Sequence, residues 1–371
     1  MILSGRFTVS CIERFPRGKT SRKKGFILRL LKQVYNNEEK NMRRRIGQNT
    51  DIRPFRWCFI GTGTLAKQVA EEITASGRHA VSSVCSRKFE NAVRFAEAYG
   101  GTAYADPKTA MDHADAVYVV TPHPQHYPYV RQAIEQGKPV LCEKPFTVRA
   151  SETRELFELA REKGVYIVEG MWTWFAPAAL KVLEWVKSGV TGEIRQVDTD
   201  YLVNVLNYAP RLTDPNLAGG AILDSGVYPV TYLYRLFGKP VSVKCSGKTV
   251  NGVDLSDEIE LVFQNGLKCR IALSICDDAG REWLRIRGTK ADIFVDHFHY
   301  ADSAELTAKD GSLIERFEGR TTLLNEFDLA AREIRAGKKE SEYIPPRATL
   351  DVMEILDECR RQIGLVYPFE K

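Results

Sequence analysis

A short apolar run, Phe55-Arg56-Trp57-Cys58-Phe59-Ile60, passes directly into Gly61-Thr62-Gly63-Thr64-Leu65-Ala66, after which Val69, Ala70 and Ile73 recur at helical spacing. No other stretch constrains the fold as much, because it prescribes a buried strand, a glycine turn and a helix in immediate succession. Gly61 makes the tight turn, Gly63 lets a pyrophosphate approach the backbone, and the small Ala66 lets helix and strand pack closely. Thr62, Thr64 and Leu65 complete the loop, and the free N–H groups at the helix start face the phosphates. A G-x-G-x-x-A string alone is equally compatible with a structural turn. The residues downstream decide between the two readings.

Those residues repeat the alternation. Ala80 to Cys85 reads as a second strand and Glu90 to Tyr99 as a helix. A small strand near Thr102 and Tyr104, an apolar strand from Ala116 to Val120, a helix reaching Gln136-Gly137 and a strand from Pro139 to Cys142 follow. Strands alternating with helices predict a parallel, doubly wound sheet. Ligands of such sheets bind beyond the carboxyl ends of the strands, where Thr121-Pro122-His123-Pro124-Gln125-His126 and Glu143-Lys144-Pro145 fall. The second strand ends in Ser86-Arg87-Lys88, where a site for NAD usually places an acidic residue against the ribose 2′-hydroxyl. Hydroxyl and cationic groups suit a 2′-phosphate, so the expected cofactor is NADP(H), with NAD(H) as the alternative.

Beyond Met171 the pattern changes. A helix is predicted over Ala178 to Ser188, then strands over Ile194 to Val205, Val241 to Val250, Glu258 to Phe263, Leu267 to Ile275, Glu282 to Ile286 and Asp292 to Val295. Gln264-Asn265-Gly266 is a hairpin turn signal. The predicted fold class is therefore α/β: a Rossmann doubly wound parallel sheet over 55–175, then an α+β domain with a large, mostly antiparallel open sheet over 176–371. A last helix, Arg347 to Gly364, is expected to pack back near the junction.

At 371 residues and 44% hydrophobic content the chain can fill two sizeable cores. No apolar run approaches the roughly 18 residues of a membrane span. The eight cysteines form no C-x-x-C pair, and several fall inside strands as small hydrophobes. A zinc site needs clustered Cys and His ligands, which the six histidines do not provide. A cytoplasmic, metal-free protein is expected. The net charge of +5 is concentrated in the first 55 residues, with Arg14, Arg17, Lys19, Arg22, Lys23, Lys24, Arg29, Lys32, Arg43, Arg44 and Arg45. Such an arm suits nucleic acid and lacks the apolar core of a secretory signal. A more economical reading is that Asn37-Glu38-Glu39-Lys40-Asn41-Met42 translates a ribosome-binding site, a short A-rich spacer and a start codon. The expected start is Met42, residues 1–54 are expected to be a basic extension without a compact fold, and neither nucleic acid nor membrane is an expected partner.

The glycine turn, T-P-x-x-x-H from Thr121 to His126, Cys142-Glu143-Lys144-Pro145 and Gly219-Gly220-Ala221-Ile222-Leu223-Asp224-Ser225-Gly226-Val227-Tyr228 together resemble the glucose-fructose oxidoreductase/inositol dehydrogenase (Gfo/Idh/MocA) family. The pairing of Met171-Trp172-Thr173 with Tyr228 is most similar to its dimeric dihydrodiol dehydrogenase and D-xylose dehydrogenase branch. The resemblance runs from about residue 55 to the C-terminus. It implies hydride transfer between NADP and a secondary hydroxyl or carbonyl of a sugar or small cyclic polyol.

Such a reaction needs a hydride carrier, a group that moves the hydroxyl proton and a positive charge for the developing alkoxide. Lys144 and Tyr228 can supply the last two, and a nearby ammonium is expected to favour the phenolate. Asp224, four residues before Tyr228, shares its face if the segment is helical, and can orient Lys144 or the substrate. The resemblance assigns the acid/base role to Tyr228 and the electrostatic role to Lys144. It also implies a homodimer through the open sheet face and an arginine, Arg211, near the substrate. His126 is expected to shape the nicotinamide pocket or cap its helix, and Trp172 and Phe175 to wall the substrate pocket or the domain interface. Relatives often read M-W-T-R-F, and this chain has Trp174 in place of that arginine. The alternative function is a catalytically silent, dinucleotide-sensing regulator of the same fold, which has no need of Lys144, Asp224 and Tyr228 together.

Overall fold

The computed structural model describes residues 53–370, so nearly all of the basic extension, including the expected start at Met42, lies outside the described residues. The first sheet is built from β1 (Phe55–Ile60), β2 (His79–Cys85), β3 (Thr102–Tyr104), β4 (Ala116–Val119), β5 (Val140–Glu143) and β6 (Ile167–Gly170). Their order is β3-β2-β1-β4-β5-β6, all parallel, and the direction of growth reverses between β1 and β4. The glycine turn therefore opens at the switch point of the sheet, where doubly wound folds bind ligands.

Both faces of this sheet are covered, which is why its strands read as nearly continuous apolar runs. Alternation along β1 sends Trp57 and Phe59 to one core, with α1 (Thr64–Ala75) and α2 (Phe89–Tyr99), and Cys58 and Ile60 to the other. The second core is closed by α3 (Pro107–Asp112), α4 (His126–Glu135) and α5 (Ala150–Lys163).

After α6 (Pro177–Ser188) come β7 (Ile194–Asn204), α7 (Val227–Phe237), β8 (Ser242–Val250), β9 (Val253–Val262), β10 (Lys268–Ser274), β11 (Cys276–Gly288), β12 (Ala291–Asp296), β13 (Ser303–Ala308) and β14 (Leu313–Glu318). The second sheet runs β14-β13-β12-β11-β7-β10-β9-β8, with β7 and β10 parallel and every other pair antiparallel. The expected strands are present, but β9 and β11 start earlier than their apolar pattern suggested. Their first halves carry Asp254, Ser256 and Asp257 in one case and Asp277, Asp278 and Arg281 in the other. β13 and β14 were not expected; β14 is an edge strand exposed at nearly every position, so no apolar face marks it in the sequence. One sheet face is a charge ladder: Arg270 bridges Asp200 at 3.1 Å and Glu258 at 2.8 Å, and Arg287 pairs with Asp198.

Two C-terminal helices return to the first sheet. α9 (Pro346–Gln362), expected near the junction, docks through Asp357, which accepts the Ala150 N–H at 2.8 Å, and through Arg154, which bridges Glu354 at 2.7 Å. α8 (Leu324–Arg335) buries Phe327 completely, its ring 5.0 Å from Trp57 and 4.9 Å from Tyr118. Phe327→Ala should therefore cost about 3–5 kcal/mol of stability, measured by urea unfolding; a loss below about 1 kcal/mol would show that α8 is not part of this core.

Candidate active site

The glycine turn meets the steric demands of a dinucleotide cradle. Gly61 has φ +116°, and a Cβ there would lie 2.4 Å from the carbonyl oxygen of Val120. Gly63 is exposed, and a Cβ on it would meet no protein atom within 4 Å. Thr64 begins α1 with no side-chain cap and no acidic residue in its first turn, so the positive end of the helix is open. Ala66 is fully buried and Leu65 packs partly against the core. Thr62 and Ser86 join their hydroxyls at 3.0 Å, tying the turn to the end of β2. Arg87 lies exposed beside them. Pro122 is exposed, and the neighbouring Thr121 hydroxyl is buried with no partner among the described residues.

Lys144 follows β5, preceding a cis peptide to Pro145. Its Nζ donates to the carbonyl oxygen of Asp224 at 2.9 Å and to Asp224 Oδ1 at 3.2 Å, and lies 4.5 Å above the centre of the Tyr228 ring. Glu143 turns the other way, where its Oε1 accepts the Tyr118 hydroxyl at 2.6 Å; burial raises its pKa to about 6. His126 is fully buried, with Nδ1 2.9 Å from the carbonyl oxygen of Pro145 and Nε2 2.8 Å from that of Thr121. It clamps the loop after β4 to the loop after β5. Burial lowers its pKa to about 4 against the pull of both carbonyls.

Asp224 sits in a π-helical turn, Ile222–Gly226, that leads into α7 and brings Asp224 and Tyr228 to the same lysine. Arg211 is brought in as well, donating from Nη2 to Asp224 Oδ1 at 2.8 Å. Burial alone would raise the Asp224 carboxyl, but the charges of Lys144 and Arg211 outweigh it and hold it far below the usual range. His123, which the sequence reading left without a role, is buried with Nδ1 3.1 Å from the Ala218 oxygen and Nε2 3.4 Å from Arg211 Nη1. Burial, reinforced by Arg211, pushes it well below the ordinary histidine value, so Nδ1–H donates to Ala218 and Nε2 accepts from Arg211. Its place inside T-P-x-x-x-H was the available signal. The π-turn is anchored from β9, where Asp254 Oδ2 accepts the Ile222 N–H at 2.6 Å. Burial and the adjacent Asp254 push Asp257 up to about 10.

The expectation that the ammonium would draw Tyr228 toward its phenolate is corrected here. Burial pushes the hydroxyl well above the ordinary tyrosine value, and Tyr201 and Asp224 add to the shift. Lys144 faces the ring rather than the oxygen, and the low-dielectric surroundings disfavour a second anion beside Asp224. Trp172 joins Tyr228 at 6.2 Å between ring centres. Phe175 has its ring contact elsewhere, 6.5 Å from Tyr343. Trp174 is buried under the guanidinium of Arg235, 4.7 Å from its ring centre, so a cation reaches this corner from α7.

The description "Oxidoreductase family, NAD-binding Rossmann fold" matches residues 55–171, and the GFO/IDH/MocA C-terminal domain matches 179–294. The chain is 30% identical over 335 residues to trans-1,2-dihydrobenzene-1,2-diol dehydrogenase of Mus musculus, spanning 85% of this chain and 99% of that protein. It is 29% identical to D-xylose 1-dehydrogenase (NADP(+)) of Hypocrea jecorina, spanning 84% and 93%. The crystal structure of aldose-aldose oxidoreductase from Caulobacter crescentus shares the fold, with TM-score 0.75 at 21% identity over 84% of this chain and 98% of that one. The chain belongs to the Gfo/Idh/MocA family of oxidoreductases.

The two cradle glycines should separate by variant. Gly61→Ala forces a side chain into a positive φ and onto Val120, and should lower the melting temperature by several degrees. Gly63→Ala has room in the protein, so its melting temperature should match the parent while NADP(H) affinity, read by fluorescence titration, falls about tenfold or more. Unchanged affinity would remove Gly63 from the cradle.

Proposed function

We propose that the protein transfers a hydride between NADP(H) and a secondary hydroxyl or carbonyl carbon of a sugar or small cyclic polyol. The observation that carries this reading is the Lys144 ammonium, held by Asp224 over the ring of Tyr228 beside an open glycine cradle. The cofactor fits the residues present. Gly61 to Ala66 would hold the pyrophosphate, Ser86 and Arg87 the 2′-phosphate, and Thr121, Pro122 and Lys144 the nicotinamide end, where the unpartnered Thr121 hydroxyl waits for an acceptor or donor. Bound there, the nicotinamide supplies or accepts the hydride.

The remaining work falls to the chain's own groups. Tyr228, kept neutral by burial, gives its proton to the substrate oxygen during reduction and regains one from solvent; in oxidation it must first release that proton to solvent, and the phenolate then takes the proton of the substrate hydroxyl. Lys144 stabilises the negative charge that develops on that oxygen. Asp224 and Arg211 hold the ammonium and a neighbouring substrate group in place, while His126 fixes the loop that carries Lys144. His126 and Glu143 thereby act through position. The charged open face of the second sheet, together with the dimer contacts implied by the branch resemblance, supports a homodimer through that face. The described cysteines are all free thiols, which suits a reducing cytoplasmic compartment. No helix among the described residues is long and apolar enough to cross a membrane.

Tyr228→Phe should leave NADP(H) binding intact and lower turnover by about a hundredfold or more. Lys144→Met should spare folding and also lower turnover, and the double variant should be scarcely worse than the worse single one. Because the Tyr228 pKa is raised, carbonyl reduction should stay level through neutral pH and decline only in alkaline solution; near-normal turnover in Tyr228→Phe would make Tyr228 a core residue.

Arg87 generates a separate test. A charge-assisted contact to phosphate is worth about 1.5–3 kcal/mol, so Arg87→Ala should weaken NADP(H) binding about tenfold or more and leave NAD(H) binding unchanged. Equal affinities of the parent protein for both cofactors would overturn the 2′-phosphate assignment.

A further inference from the structure

A second polar cluster borders Tyr228, separate from Lys144, Asp224 and Arg211. His299, in a short turn after β12, packs its ring 5.1 Å from Tyr228, 5.8 Å from Trp172 and 4.9 Å from Tyr201, stacked on the last at 26°. Its Nδ1 is hydrogen-bonded to Oε1 of Glu282 on β11, which also accepts the His299 backbone N–H at 3.2 Å. A carboxylate can only accept, so Nδ1 donates, and in the neutral ring Nε2 receives the Tyr201 hydroxyl, 3.3 Å away. The Glu282 side chain is 7% exposed and that of His299 19%. A wall needed only for packing would be apolar, since burying a carboxylate carries a large desolvation cost.

Two hydrogen-bonding capacities are left over here. The Tyr201 oxygen, having donated to His299, keeps its lone pairs. The Trp172 indole N–H is buried with no acceptor among the described residues, and its ring touches Tyr228, His299 and Tyr300. One acceptor and one donor, both bordering Tyr228 and His299, match a hydroxyl group, which needs both.

We propose that Trp172 and Tyr201, with Tyr201 set in place by the His299–Glu282 pair, form a second oxygen-binding subsite beside Tyr228. The substrate is then a ring with oxygens on both sides of the reacting carbon, one met by Arg211 and Asp224 and the other by this subsite. A cyclitol or a pyranose has that pattern; a trans-diol has an oxygen on one side only. The inference rests on the proposed role of Tyr228 and narrows its substrate class. Trp172 and Tyr201 contact the substrate, whereas His299 and Glu282 are positioning residues.

The test uses the full chain loaded with NADP+ and three probes: scyllo-inositol, D-xylose and trans-cyclohexane-1,2-diol. Initial rates are paired with calorimetric binding for the parent, Trp172→Phe, His299→Phe and Glu282→Gln, each checked for an unchanged melting temperature. The parent should prefer one of the two polyhydroxylated rings over the diol in kcat/KM. Trp172→Phe and His299→Phe should each cut that preference about tenfold, through KM and the binding constant rather than kcat, with Glu282→Gln intermediate. Should one variant fail to fold, the others carry the same comparison. An unchanged preference in the folded variants, a parent that prefers the diol, or a parent that binds neither polyhydroxylated ring overturns the subsite. A parent that oxidises none of the probes, yet binds a polyhydroxylated ring in a Trp172-dependent way, overturns the dehydrogenase reading and leaves the subsite standing.

Discussion

The site depends on keeping one nearly buried ammonium paired. Lys144 has 11% of its side chain exposed, and an unpaired cation there would carry a heavy desolvation cost. Asp224 offsets this by offering both its carboxylate and its backbone oxygen, and Arg211 and His123 gather around the same carboxylate. Truncating either side of such a pair leaves an uncompensated charge. The contact also joins the end of β5 in the first sheet to the π-turn that precedes α7. Chemistry and architecture therefore share one interaction.

The elements that hold the pair are fixed in turn by buried polar contacts. His126 ties the loops after β4 and β5 through two backbone carbonyls, and Asp254 receives the first N–H of the π-turn from across the second sheet. Tyr118 spans from the core of the first sheet to Glu143, beside Phe327 on the returning helix α8. Each restricts where Lys144 and Asp224 can sit.

Burial also sets the protonation states. It leaves His123 neutral and Tyr228 a phenol, while Asp224 is held as a carboxylate by its cations. One negative and two positive groups thus gather beside a phenol. That division suits a carbonyl oxygen that must gain a proton as a hydride arrives at its carbon.

The parallel sheet was legible because its signals are local: an apolar strand, a glycine turn and a helix period lie within about twenty residues of one another. Lys144, Asp224 and Tyr228 were legible because each stands in a short motif at a strand or helix end. β14 was not, since an exposed edge strand has no apolar face, and neither was the polar first half of β11. His299, Glu282 and Tyr201 carry no motif; they meet because β7 and β11 pair in register, Glu282 opposite Tyr201, and a turn after β12 folds back over them. The ionisation of Tyr228 was likewise undecidable from residue types, because a lysine lowers a phenol's pKa and burial raises it, and only packing sets which prevails. The sequence by itself determined the cradle, which follows from short-range backbone chemistry, and its family motifs marked Lys144 and Asp224 as candidates. Tertiary structure alone decided what surrounds that pair, because those neighbours come from strands far apart in the chain and their effect depends on distance and exclusion of water.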